Sequence, residues 1–381
     1  MTHNASILRK LPTNLPWIVR YPFSRLRSRL EMTAFEKKQV VITVADHFEP
    51  AWNDGPFLDK KGQVEQLRKF HTMARETGNA VVDSDGTKFR HTNFYPAEQY
   101  DADILDIMAE MQVEGLGETE VHLHHGDPGT DTPEYLQNML TDFRDTLAGR
   151  HKLLSRFDED PDPKYAFVHG NLALGNSCKG KHCGVDNEFE ILRDTGCYLD
   201  MTLPSAPDRS QVSMLNKIYE AGGDLSRPVP HRVGRRFEVG SSMPESPLLM
   251  TGPLVFYFPK RFGGMPLPRL DDGVLAANQP YSMSRFDRWM SANVTVAGRS
   301  DVVFIKLYCH GFFDYDQAHS IGEEAARFFG EIVERGAKTG KYSVHFTSAR
   351  EAYNIAMAIS QGKTGEVNQY RNFLLKPIMS S

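Results

Sequence analysis

From residue 39 onward, short runs of β-branched and aromatic residues alternate with stretches whose apolar residues recur every three or four positions. That alternation predicts parallel strands joined by crossover helices. The runs place strands at 39–46, 89–95, 119–125, 165–169, 197–203, 248–258, 302–309 and 342–347. Between the third and fourth, Thr132 and Pro133 suit the cap and first position of a helix. Leu136, Met139, Leu140, Phe143 and Leu147 form its stripe and Gly149 its stop. Ser320 with Glu323, and Ser348 with Glu351, each fit the capping box that satisfies free amides at a helix start, so two helices are expected to close the chain. Residues 205–247, rich in Pro, Arg, Ser and Gly without a clear period, predict a long surface excursion over one face. The order as a whole predicts an α/β fold, a β/α barrel of seven or eight strands over residues 39–365, with ligand chemistry at the carboxyl ends of the strands. Residues 1–38 are left as a basic N-terminal arm and 366–381 as a C-terminal tail.

Composition narrows the function classes. The chain has 381 residues, 40% hydrophobic and 24% charged, enough apolar material for one large core. A net charge of −5 argues against a nucleic-acid partner, which requires a basic field. Four cysteines, Cys178, Cys183, Cys197 and Cys309, are too few for a disulfide scaffold and fit a reducing, cytoplasmic setting. Cys178 and Cys183 share a Gly/Lys loop that offers no second thiol pair, so incidental thiols are expected there rather than a zinc site. The arm mixes Arg9, Lys10, Arg20, Arg25, Arg27 and Arg29 with Trp17, Ile18, Val19 and Phe23, and its apolar runs are too short to span a membrane. Two roles stay open for it: a solvated arm packed on the domain, or peripheral contact with the inner face of a membrane. Pro12, Pro16 and Pro22 are expected to prevent one continuous helix.

The chemistry gathers at strand ends. The first strand runs Val40, Val41, Ile42, Thr43, Val44, Ala45 and breaks into Asp46, His47, Phe48, Glu49. Carboxylate and imidazole both serve a divalent metal or proton transfer, although an Asp at a strand end equally caps a following helix. The third strand delivers His122, His124 and His125, three histidines in four positions. Period-two geometry puts His122 and His124 on one face opposite Val121 and Leu123, while His125 begins the loop and can turn back. Glu49, Asp127 and Asp131 are candidates to orient these rings or to join them as ligands. His169 and Asn171 end the fourth strand and are candidates for substrate contact, and His310 ends the seventh. Of the 14 histidines, His47, His122, His124, His125, His169 and His310 all fall at or near predicted strand ends. Scattered core histidines would not do so.

At this point the chain resembles the polysaccharide deacetylase superfamily. Asp46 and His47 stand in the place of its paired aspartates, of which the first acts as general base and the second binds metal. The resemblance therefore implies a base role for Asp46 and a ligand role for His47, and His124 matches the first histidine ligand. The chain also looks like a branch of that superfamily seen near bacterial exopolysaccharide genes, with matching segments at 45–50, 123–125, 169–171, 203–207 and 349–354. That branch brings no activity to carry over. The superfamily's second histidine ligand lies four positions after the first, where this chain has Pro128, so His122 or His125 is left to complete the set. Replacement of the second aspartate by His47 makes the site less anionic and suits it to zinc, with iron or cobalt as alternatives. Tyr308 occupies a place where the branch leads one to expect histidine, which leaves His310 as the general acid.

The implied activity is hydrolysis of a carbon-nitrogen bond, an N-acetyl amide of a carbohydrate or glycan, with one divalent metal activating water. Trp52, Phe94, Tyr95, Phe256 and Tyr257 offer stacking surface if they line the mouth and barrel packing if they do not. The rival expectation is a non-catalytic carbohydrate-binding or assembly factor in exopolysaccharide production that uses the same cleft.

Overall fold

The computed structural model describes residues 11–32, 37–52, 57–126, 129–259 and 268–380. Arg9, Lys10, Asp127 and Pro128 lie outside them. The chain begins with helix α1 (Leu11–Leu30), strand β1 (Lys38–His47), α2 (Lys60–Ala80), β2 (His91–Pro96), α3 (Ala102–Val113), β3 (Gly117–Leu123) and α4 (Pro133–Gly149). It continues through β4 (Ser155–Phe157), β5 (Tyr165–His169), α5 (Glu188–Asp194), β6 (Cys197–Asp200), β7 (Lys217–Ala221), β8 (Gly234–Arg236) and β9 (Leu248–Thr251). There follow β10 (Val255–Tyr257), β11 (Arg269–Asp271), α6 (Met283–Ala292), β12 (Val302–Cys309), α7 (Asp314–Ser320) and α8 (Glu323–Thr339). The last elements are β13 (Tyr342–Thr347), α9 (Ala349–Ser360) and β14 (Leu375–Pro377).

The result is a mixed α/β molecule around a large, mostly parallel sheet. Its path is β12-β1-β2-β3-β5-β6-β9-β7-β8, with β13 paired to the first half of β1. Every pairing from β12 to β9 is parallel, and β7 and β8 are added antiparallel. Beyond these strands, Val294 bridges to Phe304 of β12, and Ala297 bridges to Glu238 just after β8.

β1 shows how the sequence specifies this arrangement. Val40, Ile42 and Val44 enter the core formed with α2 and α8, while Val41 and Ala45 enter a second core on the other face. Burial on both faces is the condition of a parallel central strand and accounts for its unbroken apolar run. The second core also receives α9, whose residues are buried along its whole length.

Seven of the eight expected strands are present, and the expected strand 248–258 divides into β9 in the main sheet and β10, which pairs with β11 in a separate sheet; three further corrections concern the expected pattern. The 205–247 excursion contains β7 and β8, which belong to the sheet and bury Ile218 and Tyr219. They are short strands crossed by polar residues, with Glu220 paired to Arg235 at 2.7 Å, and so carry no visible period. Ser320 ends α7 rather than capping α8, because its hydroxyl turns back to the Gln317 carbonyl and Gly322 takes the cap position. The Ser348–Glu351 box and the Thr132 cap form as expected.

The third correction is α1, a continuous helix with Pro16 and Pro22 inside it. Each proline removes one donor, and packing on the body compensates. Trp17 is buried with Ala206, Leu215, Leu254 and Leu270. Its indole N–H donates to Asn14 Oδ1 at 2.6 Å, and Asn14 Nδ2 donates to the Pro207 carbonyl at 2.9 Å. Farther along, the Phe256 N–H donates to the Tyr21 hydroxyl. The tail is tied in as well, since β14 pairs with β4 and Arg371 reaches Asp83 at 2.9 Å. Among the described residues no helix is long and apolar enough to cross a membrane.

Candidate metal centre

Parallel pairing brings the carboxyl ends of distant segments to one rim. Asp46 lies beside Cys309, His47 beside Phe94, His122 beside Val168, and Leu123 beside His169. Side-chain parity then sorts the residues. His47 follows Val41 and Ala45 onto the face of the second core, whereas Asp46 follows Ile42 and Val44 onto the face packed by α2 and α8.

Beside the second core, ligand atoms of His47, Glu49 and His122 lie within 4.8 Å of one another, and all three residues are buried. The His47 and His122 rings are 4.8 Å apart between centroids. His122 Nδ1 donates to the Val168 carbonyl at 2.9 Å, and its Nε2 faces Glu49 Oε1 at 3.6 Å. His47 Nδ1 and His122 Nε2 have no hydrogen-bond partner among the described residues, and Glu49 Oε1 is met by His124 Nε2 at 3.0 Å. Buried polar atoms are normally satisfied. A cation coordinated by the two unpartnered nitrogens and the carboxylate would satisfy them, so these residues fit a divalent metal.

The surroundings are charged. His124 Nε2 stands 3.0 Å from Glu49 Oε1, and its Nδ1 donates to Glu98 Oε1 at 2.6 Å. Burial opposes a charge on this ring, but hydrogen bonds to Glu49 and Glu98 prevail and raise its pKa to about 9. Burial likewise works against Glu49, yet the His122 and His124 imidazoles hold its carboxyl well below the usual range. The His310 ring lies 4.6 Å from that of His47 and stacks on Phe313 at 5.4 Å. Burial lowers its pKa against the pull of Glu49 and Asp46, so it favours the neutral form. Trp52, 39% exposed, stands 6.3 Å from the His124 ring and 6.1 Å from Phe313 at the mouth. Phe94 lies beside His47 but is fully buried, Tyr95 is buried in the other core, Phe256 stacks on Trp17 of the arm, and Tyr257 lies under Arg288, so of the expected aromatics Trp52 is the one exposed beside this group among the described residues.

The remaining expected site residues are placed elsewhere. Asp46 is grouped with His91 and Cys309. Its Oδ1 accepts from the Gly311 N–H at 2.7 Å, and its Oδ2 is 2.9 Å from His91 Nδ1. His91 is held from its other side by the Ser320 carbonyl at 3.1 Å. His125 and His169 turn away from His47 and meet Cys183 and Glu188 in a separate buried group. Asn171 closes the turn beside them, donating from its side chain to the His125 carbonyl at 3.1 Å. The four histidines expected around one metal are thus divided, with His47 and His122 in one group, His124 bonded to carboxylates at its edge, and His125 in another.

Glu98, His91 and Glu188 were not foreseen. His91 opens a strand and Glu188 opens a helix, and neither position carries a strand-end signal; Glu98 follows β2 by two residues and offers only its proximity to a rim. A scan against protein-family models finds no match to the chain, and no curated protein matches it.

Proposed function

We propose that the chain is a metal-dependent hydrolase of the polysaccharide deacetylase kind, removing an N-acetyl group from a carbohydrate or glycan at His47, Glu49 and His122. The observation that carries this is the convergence of three buried ligand residues, with an unpartnered nitrogen on each of the two histidines, at the carboxyl rim of parallel strands. On this reading the bridges at Val294 and Ala297 close the sheet into a barrel around the site. Two imidazoles and a carboxylate suit zinc with a further position open, and the chemistry such an ion supplies is polarisation of an amide carbonyl and activation of water.

The chain's own groups supply the rest. Neutral His310 accepts a proton from the attacking water and delivers it to the departing nitrogen, so that amide and water become carboxylic acid and amine. The His124 cation, oriented by Glu98, faces negative charge developing on the carbonyl oxygen. Trp52 offers a ring face for a sugar. Asp46 acts through the backbone, holding the Gly311 amide and with it the turn that carries His310. The engagement of both Asp46 oxygens favours one rival, a carbohydrate-binding or assembly factor without catalysis, because it removes the carboxylate that the superfamily uses as base.

Helix α1 supports peripheral attachment. Leu15, Val19, Phe23, Leu26 and Leu30 form an exposed apolar stripe at helical spacing, with exposed Arg20, Arg27 and Arg29 near it. Such a face suits an anionic lipid surface.

The test is acetate release from N-acetylated oligosaccharides by the zinc-loaded chain. Release is expected, is abolished by chelation, and is absent in His47→Ala. Binding of the same oligosaccharides by the metal-loaded protein without acetate release would establish the rival.

A further inference from the structure

The group formed by His125, His169, Cys183 and Glu188 lies outside the centre assigned above. His125 follows β3, His169 ends β5, Cys183 belongs to the loop after β5, and Glu188 opens α5. All four are buried and place ligand atoms within 4.8 Å of one another.

Their hydrogen bonds determine which lone pairs are free. His125 Nδ1 faces Asp131 Oδ1 at 3.4 Å, so its Nε2 is the nitrogen turned into the group, 3.5 Å from Glu188 Oε1. Neither of those two atoms has a hydrogen-bond partner among the described residues. Cys183 Sγ is 3.4 Å from Glu188 Oε2, which also accepts from the Gly175 N–H at 2.5 Å. His169 differs, because its Nδ1 accepts from the Asn171 N–H at 3.2 Å and its Nε2 therefore carries the proton in the neutral ring. That N–H lies 3.7 Å from Glu188 Oε1. At that distance it makes no hydrogen bond, and with its proton in place it is not a ligand.

We propose that His125, Cys183 and Glu188 hold a second transition-metal ion, distinct from the one at His47, Glu49 and His122. Bonds of about 2.0–2.3 Å to a tetrahedral zinc separate its ligand atoms by about 3.3–3.7 Å, and the 3.5 Å between His125 Nε2 and Glu188 Oε1 already matches, with the Cys183 sulfur within 4.8 Å of the ligand atoms of both residues. A thiolate, a carboxylate and a neutral imidazole together cancel the charge of a divalent ion, which offsets the cost of burying the carboxylate alone. The mixed sulfur, nitrogen and oxygen set selects zinc over magnesium or calcium.

The role is structural. A Cβ on Gly170 would come within 2.3 Å of the His124 ring, and one on Gly126 within 2.3 Å of the His182 backbone. The loop from Gly170 to Glu188 therefore lies against the turn that carries His124. An ion linking His125 to Cys183 and Glu188 clamps that loop to β3 and fixes the wall of the first centre.

Metal analysis and cobalt spectroscopy test this on the full chain. The unaltered protein is expected to bind two zinc ions, and its cobalt form to show a thiolate-to-cobalt charge-transfer band. Cys183→Ala and Glu188→Gln should each lose one ion, Cys183→Ala should lose the band, and His169→Gln should keep both. His47→Ala should lose one ion and keep the band. A cobalt form without the band overturns the proposal, as does a band that survives in Cys183→Ala; loss of the ion in His169→Gln overturns the three-ligand set. One ion per chain with the Cys183-dependent band would support this centre and count against the site assigned to hydrolysis. If Cys183→Ala does not fold, the cobalt spectra of the unaltered chain and of Glu188→Gln decide.

Discussion

At the residue scale, His310 separates proton transfer from metal binding. Its ring is packed against His47 and Phe313, and the proposed chemistry passes one proton through it. His310→Ala is expected to keep its metal and nearly its melting temperature while turnover falls by about a hundredfold or more, the typical contribution of a positioned acid-base group. Metal loss in that variant would place His310 among the ligands. Full turnover on a verified substrate would remove it from the chemistry. Asp46 and His47 show the physics that governs such assignments. They are adjacent in sequence, yet alternation along β1 sends one to the face packed by α2 and α8 and the other to the face of the second core.

At the element scale, α1 has two faces with different expected roles. Trp17 is 1% exposed and fills a contact with Leu254 and Leu270, so Trp17→Ala should cost about 3 kcal/mol in denaturant unfolding. Phe23 and Leu26 are 72% and 58% exposed. Serine at both should leave unfolding nearly unchanged but weaken sedimentation with phosphatidylglycerol vesicles, and unaltered sedimentation would show that the stripe does not meet lipid. α9 gives a simpler case. Its capping box joins the Ser348 side chain to the Glu351 amide and the Glu351 side chain to the Ser348 amide. Ser348→Ala should therefore cost about 1 kcal/mol, and a change near zero would mean that burial of α9 alone determines where it starts.

At the scale of the whole molecule, buried histidines couple stability to pH. His231 is fully buried against Phe189, with neither ring nitrogen partnered among the described residues. Burial, with a smaller contribution from Arg232, lowers its pKa from 6.5 to about 3. Between those values the unfolded chain binds a proton that the folded chain does not. Stability from this group is thus complete above about pH 6.5 and declines as pH falls toward about 3, by up to ~1.4 kcal/mol per pH unit. Urea unfolding of the chain and of His231→Phe across pH 4 to 6 should show a shallower dependence in the variant. Equal slopes would mean that His231 gains its proton without unfolding. His47 and His169, also held well below the usual range by burial, contribute in the same direction.

The sequence by itself determined seven of the principal strands and the start of the eighth, the caps at Thr132 and Ser348, and the gathering of histidines at one rim. These follow from local rules: apolar runs mark strands buried on both faces, and parallel strands present their carboxyl ends together. Only the tertiary structure decided which histidines keep company. His124 and His125 are neighbours in the chain, yet one bonds to Glu98 and the other joins Cys183 and Glu188, because the turn after β3 is packed against a loop that carries no period. The same holds for β7 and β8, too short and too polar to announce themselves, and for α1, whose prolines oppose a helix that burial of Trp17 sustains. Local patterning ends where strands end. Beyond that point the direction of a side chain is set by contacts between segments far apart in sequence.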